Sequence, residues 1–394
     1  MSRAERAPRT PLPKGYWTIW TTVALDLIGF GIVVPILGVY AERFGASGYS
    51  VGWLFATFSL AQLVCAPLLG RLSDRIGRKP VIVISLVGTA VGSFVTGAAG
   101  ALWVLFLGRV IDGASGGSLS VAQAAVADIA TPAQRPKLVG MLGAAFGVGF
   151  VLGPAIGGLA ALGGPHVPFY VAAALAAVNA VAAAIRLPET RTKGPAPRRG
   201  AHLPQQSSLR RLALIGFLGT LAFAAFEATF SLFGSRRFDL TEGSTAVVFL
   251  GIGLVLVAVQ GGGFARLAAR VPAGRLYPIA LGLVVAGLAV VAGSKGWPLL
   301  IVGLLLLSVG QGLAAPSLIE LVNQQSPPER RGEALGFQQS SYAVGRVLGP
   351  PLAGSAFDRI GVWSPMLAGA VVTAGALALV LVWRMPARMT PPAA

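Results

Sequence analysis

The chain has 394 residues, of which 55% are hydrophobic and 11% are charged, and its formal net charge is +17. Soluble domains carry about 25% charged residues, so this composition excludes a soluble protein and is typical of a chain that crosses a membrane many times. The basic excess does not indicate nucleic-acid binding, because the cations lie in short loops between apolar stretches.

Apolar stretches long enough to cross a bilayer, about 20 residues each, recur along the whole chain. They predict an all-α polytopic membrane protein with 12 transmembrane helices in two halves of six. The first stretch is too long for the core of a signal peptide, so we expect it to remain as a membrane helix. The predicted spans are residues 16–40, 50–70, 80–100, 102–128, 137–162, 166–187, 211–234, 243–265, 275–294, 297–321, 333–356 and 361–384.

The polar segments between these spans predict the domain organisation. A basic, proline-containing linker is expected between the two halves. The predicted units are an N-terminal segment (1–15), a first half (16–187), the linker (188–210), a second half (211–385) and a tail (386–394).

Basic residues predict the orientation of the spans. If the N-terminus is inside, the inner segments carry 24 of the 31 lysines and arginines and the outer loops carry five. Since short cytoplasmic loops are enriched in these residues, both termini are expected in the cytoplasm, with the chain in the inner (plasma) membrane.

Asp26 lies near the middle of the first span. A charged side chain there costs about 2.5–3.5 kcal/mol on insertion scales, and such residues face a cavity, pair with a partner or relay protons. Asp26 is therefore a predicted proton-coupling residue. The alternative is a structural acid that bonds to the backbone near Gly29.

Residues 70–80 (GRLSDRIGRKP) form a short basic turn between the second and third spans. Its cations are typical of a cytoplasmic loop. Asp74 is the only acid in the turn and requires a separate explanation. One interpretation of the whole turn is a solvated loop that does no more than fix the orientation.

Three further ionisable residues fall within spans and are predicted to assist proton coupling. Arg109 and Asp112 stand three apart, so they share one helix face. Either they neutralise each other, or Arg109 compensates for deprotonation of a neighbouring acid. Glu227 lies among phenylalanines and suits a second proton site or a counter-charge for a cationic ligand. The alternative interpretation is that Glu227 is an acid exposed near the outer surface.

Polar side chains within the spans are candidates to line a substrate cavity, although each is also suited to joining helices. Two of them, Gln338 and Tyr342, are four apart and share a helix face. The candidates are Gln123, Gln260, Gln338, Gln339, Tyr342 and Arg346.

The two halves share three sequence matches at one offset of 195 or 196 residues. TPAQRPKLVG from Thr131 matches SPPERRGEALG from Ser326, and VGFVLGP from Val148 matches VGRVLGP from Val344. RLSDR from Arg71 matches RLAAR from Arg266, with Ala269 at the position of Asp74. A repeated offset predicts parallel repeats with a substrate site between them near the midplane.

Several of these motifs resemble the major facilitator superfamily. The basic turn at 70–80 resembles its signature loop, and Leu107-Gly108-Arg109 resembles a third family motif. Asp26 within DLIGFGIVVP is similar to the tetracycline/proton antiporters and related drug exporters with 12 helices. The fifth span resembles the motif that marks the antiporter branch of this family, and the matching residues are Gly149, Gly153, Pro154, Gly157 and Gly158.

The resemblance implies a conformational latch around the basic turn. Asp74 is expected to bind the N-terminal end of the eleventh span near Gly332, across the gap between the halves, while Arg75 and Arg78 bond Asp128. The resemblance also implies that the glycines of the fifth span bend it against the other half. The latch residues are Gly70, Asp74, Arg75, Gly77, Arg78 and Asp128.

These expectations lead to a proton-coupled antiporter that exports small amphipathic compounds by alternating access. Its expected partners are a small-molecule substrate, protons and the bilayer, without nucleic acid, and a monomer is expected. No enzyme activity, cofactor or metal is predicted. The alternatives are a transporter of a metabolite, sugar or lipid and, more remotely, a membrane sensor or scaffold that does not transport.

Overall fold

The computed structural model describes residues 12–131, 134–191, 207–327 and 330–383, and within these ranges it is helical, without a β-strand. Most of the predicted N-terminal segment, the middle of the predicted linker and the predicted tail lie outside the described residues.

The helices before the linker form what we call the first set. All seven carry apolar faces that pack on one another. They are α1 (Tyr16–Glu42), α2 (Gly48–Ile76), α3 (Arg78–Gly97), α4 (Leu102–Ser115), α5 (Ser118–Ile129), α6 (Arg135–Ala161) and α7 (Val167–Arg186).

The helices after the linker form the second set. A π-helical turn, Val259–Gly263, separates α9 from α10. They are α8 (Ser207–Phe238), α9 (Glu242–Ala258), α10 (Phe264–Ala268), α11 (Ala273–Gly293), α12 (Trp297–Gln324), α13 (Arg331–Arg359) and α14 (Ser364–Val382).

The predicted span 102–128 is broken into α4 and α5 at Gly116 and Gly117. The side-chain amide of Gln62 donates to the Gly116 carbonyl at 2.9 Å, and Leu69 packs against Gly117. Two glycines weaken the helix, and the freed carbonyl finds this partner on α2. The expectation of one unbroken helix was therefore wrong at this point.

Ten helices in the described ranges are long and apolar enough to cross a membrane, with α9, the π-helical turn and α10 counted as one helix, Glu242–Ala268. The segments that fall short are α4 with α5, which are individually too short, and α13, whose middle is rich in Gln, Ser and Gly. The chain is a multi-pass membrane protein.

Two seams join the sets. α2 packs on α13, and α6 packs on α9. We call the end of the bundle with the turn at 70–80 the basic end, and the end where α1 finishes at Glu42 and α2 begins at Gly48 the distal end.

Candidate functional site

Asp26 faces the break between α4 and α5. The Ser118 hydroxyl, in the first turn of α5, donates to the Asp26 carboxylate at 2.5 Å. Because α5 begins here, the contact places the carboxylate beside the start of a helix, where the helix dipole attracts an anion. Asp26 is thus held by a side chain at a helix end within the bundle, and the alternative bond to the backbone near Gly29 is not among its described contacts.

Arg109 and Asp112 on α4 form a closed ion pair of 2.8 Å. Both are buried, with 2% and 8% of their surface exposed. The Arg109 guanidinium also lies 4.3 Å from the centre of the Phe58 ring. Asp112 also acts on Asp26, whose negative charge it repels. The three groups therefore form one electrostatic cluster in the first set.

Glu227 on α8 is buried, with 8% exposed, so it does not lie at the outer surface. Arg346 on α13 attracts it electrostatically. The Arg346 guanidinium reaches across to the first set, where it lies 5.8 Å from the centre of the Phe30 ring. Glu227 and Arg346 are thus the charged pair that the second set places at the boundary between the sets.

The other cavity candidates divide into two groups. Gln338 is buried and packs with Tyr342 against Gly216 of α8, so these two join α13 to α8. Gln123, Gln260 and Gln339 are exposed at the surface of their helices.

The basic turn forms an ion network within the first set. Arg78 binds Asp74 at 2.6 Å and Asp128 at 2.9 Å. Gly77 has φ of +111°, a conformation that favours glycine, and Gly70 has open space around it. Asp74 makes no described contact with α13. The backbone carbonyl of Arg75 accepts a hydrogen bond from the Arg191 guanidinium.

Glu189, which sequence reasoning missed, caps this turn. Its carboxylate accepts the backbone N–H groups of Arg78 at 2.9 Å and Lys79 at 3.2 Å, at the start of α3. Partial burial opposes ionisation, but these bonds and those from Thr190 and Arg191 outweigh it and hold the pKa of Glu189 below its usual range. The proline and acid that follow the end of α7, Pro188 and Glu189, were the available signal.

Contacts between the sets at the distal end were also missed. Arg43 binds Glu242 at 2.7 Å, and Glu42 binds Arg236 at 3.2 Å. Asp358, near the end of α13, accepts the N–H groups of Gly48 at 2.9 Å and Tyr49 at 2.8 Å at the start of α2. These contacts close the distal end.

The glycines of α6 pack mainly on α1 rather than on the second set. A Cβ atom on Gly149 would lie 2.6 Å from the Leu27 carbonyl oxygen, and one on Gly153 would lie 2.5 Å from Gly31. Gly157 also faces α1, whereas Gly158 faces Ala246 of α9. The motif, with Pro154 inside the helix, therefore brings α6 against the helix that carries Asp26.

Comparison with known proteins gives one family. The family model described as Major Facilitator Superfamily matches residues 19–293 and 264–394. The class B tetracycline resistance protein of Escherichia coli is 31% identical over 345 residues, covering 83% of this chain and 84% of that protein. Multidrug resistance protein 1 of Bacillus subtilis is 29% identical, covering 94% and 96%.

Among solved structures, the human organic anion transporter MFSD10 superposes with a TM-score of 0.72. It is 26% identical, and the match covers 94% of this chain and 100% of that one.

Proposed function

The chain belongs to the major facilitator superfamily and is a membrane transporter, and we propose that it exports small amphipathic compounds in exchange for protons. The observation that carries this proposal is the Asp26 carboxylate at the start of α5, 2.5 Å from the Ser118 hydroxyl. An acid within a membrane helix that meets a hydroxyl and a helix end has partners in its charged form, so it can release a proton as well as bind one.

The cluster around Asp26 suits coupling of that proton to movement. Asp112 repels the charge of Asp26, while Arg109 compensates Asp112 through their ion pair. Loss of a proton from Asp26 changes the charge balance of the first set, and a conformational change that redistributes these charges is thereby linked to protonation.

Contacts at the two ends of α2 and α13 support alternating access. The two helices are antiparallel, and each carries an aspartate near its C-terminal end, Asp74 on α2 and Asp358 on α13. Asp358 caps the start of α2 at the closed distal end. Asp74 would cap the start of α13 when the basic end closes, so the two latches alternate.

The finer topology belongs to the same proposal. We assign α4 with α5 to one span and α13 to another, which gives 12 spans in two repeated halves. The basic loops support cytoplasmic termini and a basic end that faces the cytoplasm. In that orientation, in the inner (plasma) membrane, the contacts between the sets at the distal end support a state open to the cytoplasm.

The proposal is tested with the purified chain in proteoliposomes that contain a pH-sensitive dye. Pulses of two amphipathic fluorescent compounds, the cation ethidium and the zwitterion Nε-dansyl-lysine, are compared. A compound that is transported should move protons in the opposite direction, and an uncoupler should stop its accumulation. Drug transport that is insensitive to the uncoupler and moves no protons would contradict proton antiport, while transport itself would still be measured.

A further inference from the structure

Glu227 and Arg346, the charged pair of the second set, attract each other without touching. Glu227 is 8% exposed, and Arg346 is the charged group that acts on it. In the described part of the chain, no hydrogen bond or ion pair within 4.0 Å joins the two. A buried carboxylate and a guanidinium held apart are each short of a partner, which a ligand can supply.

Aromatic rings of the first set lie beside Arg346. The Arg346 guanidinium is 5.8 Å from the Phe30 ring centre, and the Phe30 and Phe58 rings are 5.7 Å apart. Phe30 and Phe58 belong to α1 and α2, whereas the charges belong to α8 and α13. The Arg346 guanidinium and these rings therefore meet where the two sets face each other, which is where a transported molecule must pass.

The first set contains a matched contrast. Arg109 stacks on Phe58 as Arg346 does on Phe30. However, Arg109 is joined to the carboxylate of Asp112 at 2.8 Å, although its Nε has no hydrogen-bond partner among the described residues and its charge is repelled by Arg346. Of these two arginine–aromatic pairs, the one with Arg346 has a charge available to a ligand.

We propose that Glu227 and Arg346 form a subsite for aromatic zwitterions. The ammonium group of the ligand binds Glu227, its carboxylate binds Arg346, and its ring packs against Phe30. This inference rests on the proposed transport function, because it names the substrate class of the same central site.

The charges select the class of ligand. A purely cationic ligand on Glu227 would leave Arg346 facing a second cation. A purely anionic ligand on Arg346 would bring a second negative charge beside Glu227. A zwitterion pairs both groups at once and replaces the water that each loses on burial.

Three probes with the same dansyl ring test the charge requirement. Nε-dansyl-lysine is a zwitterion, its methyl ester is a cation, and its Nα-acetyl derivative is an anion. Binding to the purified full chain in lipid nanodiscs is followed by dansyl fluorescence, without any gradient. We expect the zwitterion to bind at least about tenfold more tightly than either of the other probes.

Two variants assign the charges. Arg346→Gln should lower the affinity for the zwitterion to that for the ester, and Glu227→Gln should lower it to that for the acetyl derivative. Each variant keeps the binding of one weaker probe, which shows that it is folded. Arg359→Gln makes the same charge change at the exposed end of α13 and should keep the preference.

Equal affinity for the three probes, no binding of any of them, or a preference that persists in both variants would overturn the subsite. The outcome is separate from that of proton coupling. If the chain prefers the zwitterion but transports without protons, the subsite stands and the antiport mechanism fails.

Discussion

The two helical sets hold their buried charges in different ways. In the first set, Asp26 is bonded to Ser118, and Arg109 is joined to Asp112. In the second set, Glu227 and Arg346 attract each other but remain apart. Groups that already have partners within the protein leave little for a ligand to pair with, whereas charges that are not joined can each bind a ligand group.

The same contrast extends to the basic end. The first set has Asp74 and an ion network around Arg78, while the second set has Ala269 at the matching position of its RLAAR turn. If the halves arose from one repeat, as we propose, they have divided the work. In that proposal the first set supplies proton coupling and the acid of the latch at the basic end, and the second supplies the acid of the distal latch and the charges that bind the substrate.

Replacement of Asp26 by Asn tests the role of the first set and should have the largest effect. Asn keeps the shape but cannot exchange a proton, so proton-driven export should fall by at least about a hundredfold, in the range of lost catalytic groups. Drug accumulation in an efflux-deficient host measures it. Asp239→Asn, the same change at an exposed position, should transport normally. Undiminished export by Asp26→Asn would remove Asp26 from the mechanism.

Added methyl groups on glycines test whether the two sets depend equally on close helix packing. A Cβ on Gly153 would lie 2.5 Å from Gly31, whereas Gly143 on the same helix has open space. Gly153→Ala should destabilise the chain by about 1–3 kcal/mol through overpacking, and Gly143→Ala should not. Thermal unfolding of the purified chain measures both.

The second set offers the equivalent pair. A Cβ on Gly349 would press on the Leu221 carbonyl, whereas Gly336 has open space. Gly349→Ala should lower the unfolding temperature about as much as Gly153→Ala does, while Gly336→Ala leaves it unchanged. A harmless Gly349→Ala would show that close packing matters only in the first set.

Loss of either latch should shift the conformational balance in opposite directions. Asp358→Asn weakens the cap on α2 and should favour an open distal end, whereas Asp74→Asn should favour a closed one. Each acid is worth about 0.3–1 kcal/mol at an exposed helix end, so populations should change about two- to fivefold.

Spin labels at Gly100→Cys and Lys295→Cys, in the distal loops of the two sets, report this balance after replacement of Cys65 by Ser. Pulsed dipolar spectroscopy should show a larger long-distance fraction in Asp358→Asn and a smaller one in Asp74→Asn. A shift in the same direction in both variants would contradict alternating latches.

Much of the fold could be predicted from the sequence, because long apolar stretches and short basic turns are local signals. The family resemblance, carried by residues 70–80 and by Asp26, was confirmed. The break at Gly116 and Gly117 was visible as two adjacent glycines, but whether two glycines interrupt a membrane helix depends on neighbours such as Gln62.

Contacts between distant parts of the chain could not be predicted. Ser118 lies 92 residues from Asp26, and Asp358 lies 310 residues from Gly48. Neither Ser118 nor Gly48 stands out in the sequence, and only the helix arrangement brings them to Asp26 and Asp358. The roles of Asp26, Glu227 and Asp74 remain predictions, which the experiments above decide.

The smallest expected effect concerns Glu189. This residue caps α3 and supports the basic turn, which belongs to the first set only. Glu189→Gln should lower stability at neutral pH by about 0.3–1 kcal/mol, reduced by solvent screening because the side chain is exposed. Because folding lowers the pKa of Glu189, its contribution is present above the pKa of the unfolded chain. That contribution is lost as the pH falls through the folded value.

The gap in unfolding temperature between the wild type and Glu189→Gln should therefore be widest at neutral pH and should close in acid. Glu320→Gln is the control, because Glu320 accepts a hydrogen bond from Gln324 on its own helix and caps no helix start. A gap that stays constant from neutral to acidic pH would mean that the charge of Glu189 does not support the turn. The latch at the basic end would then depend on the ion pairs of Arg78 alone.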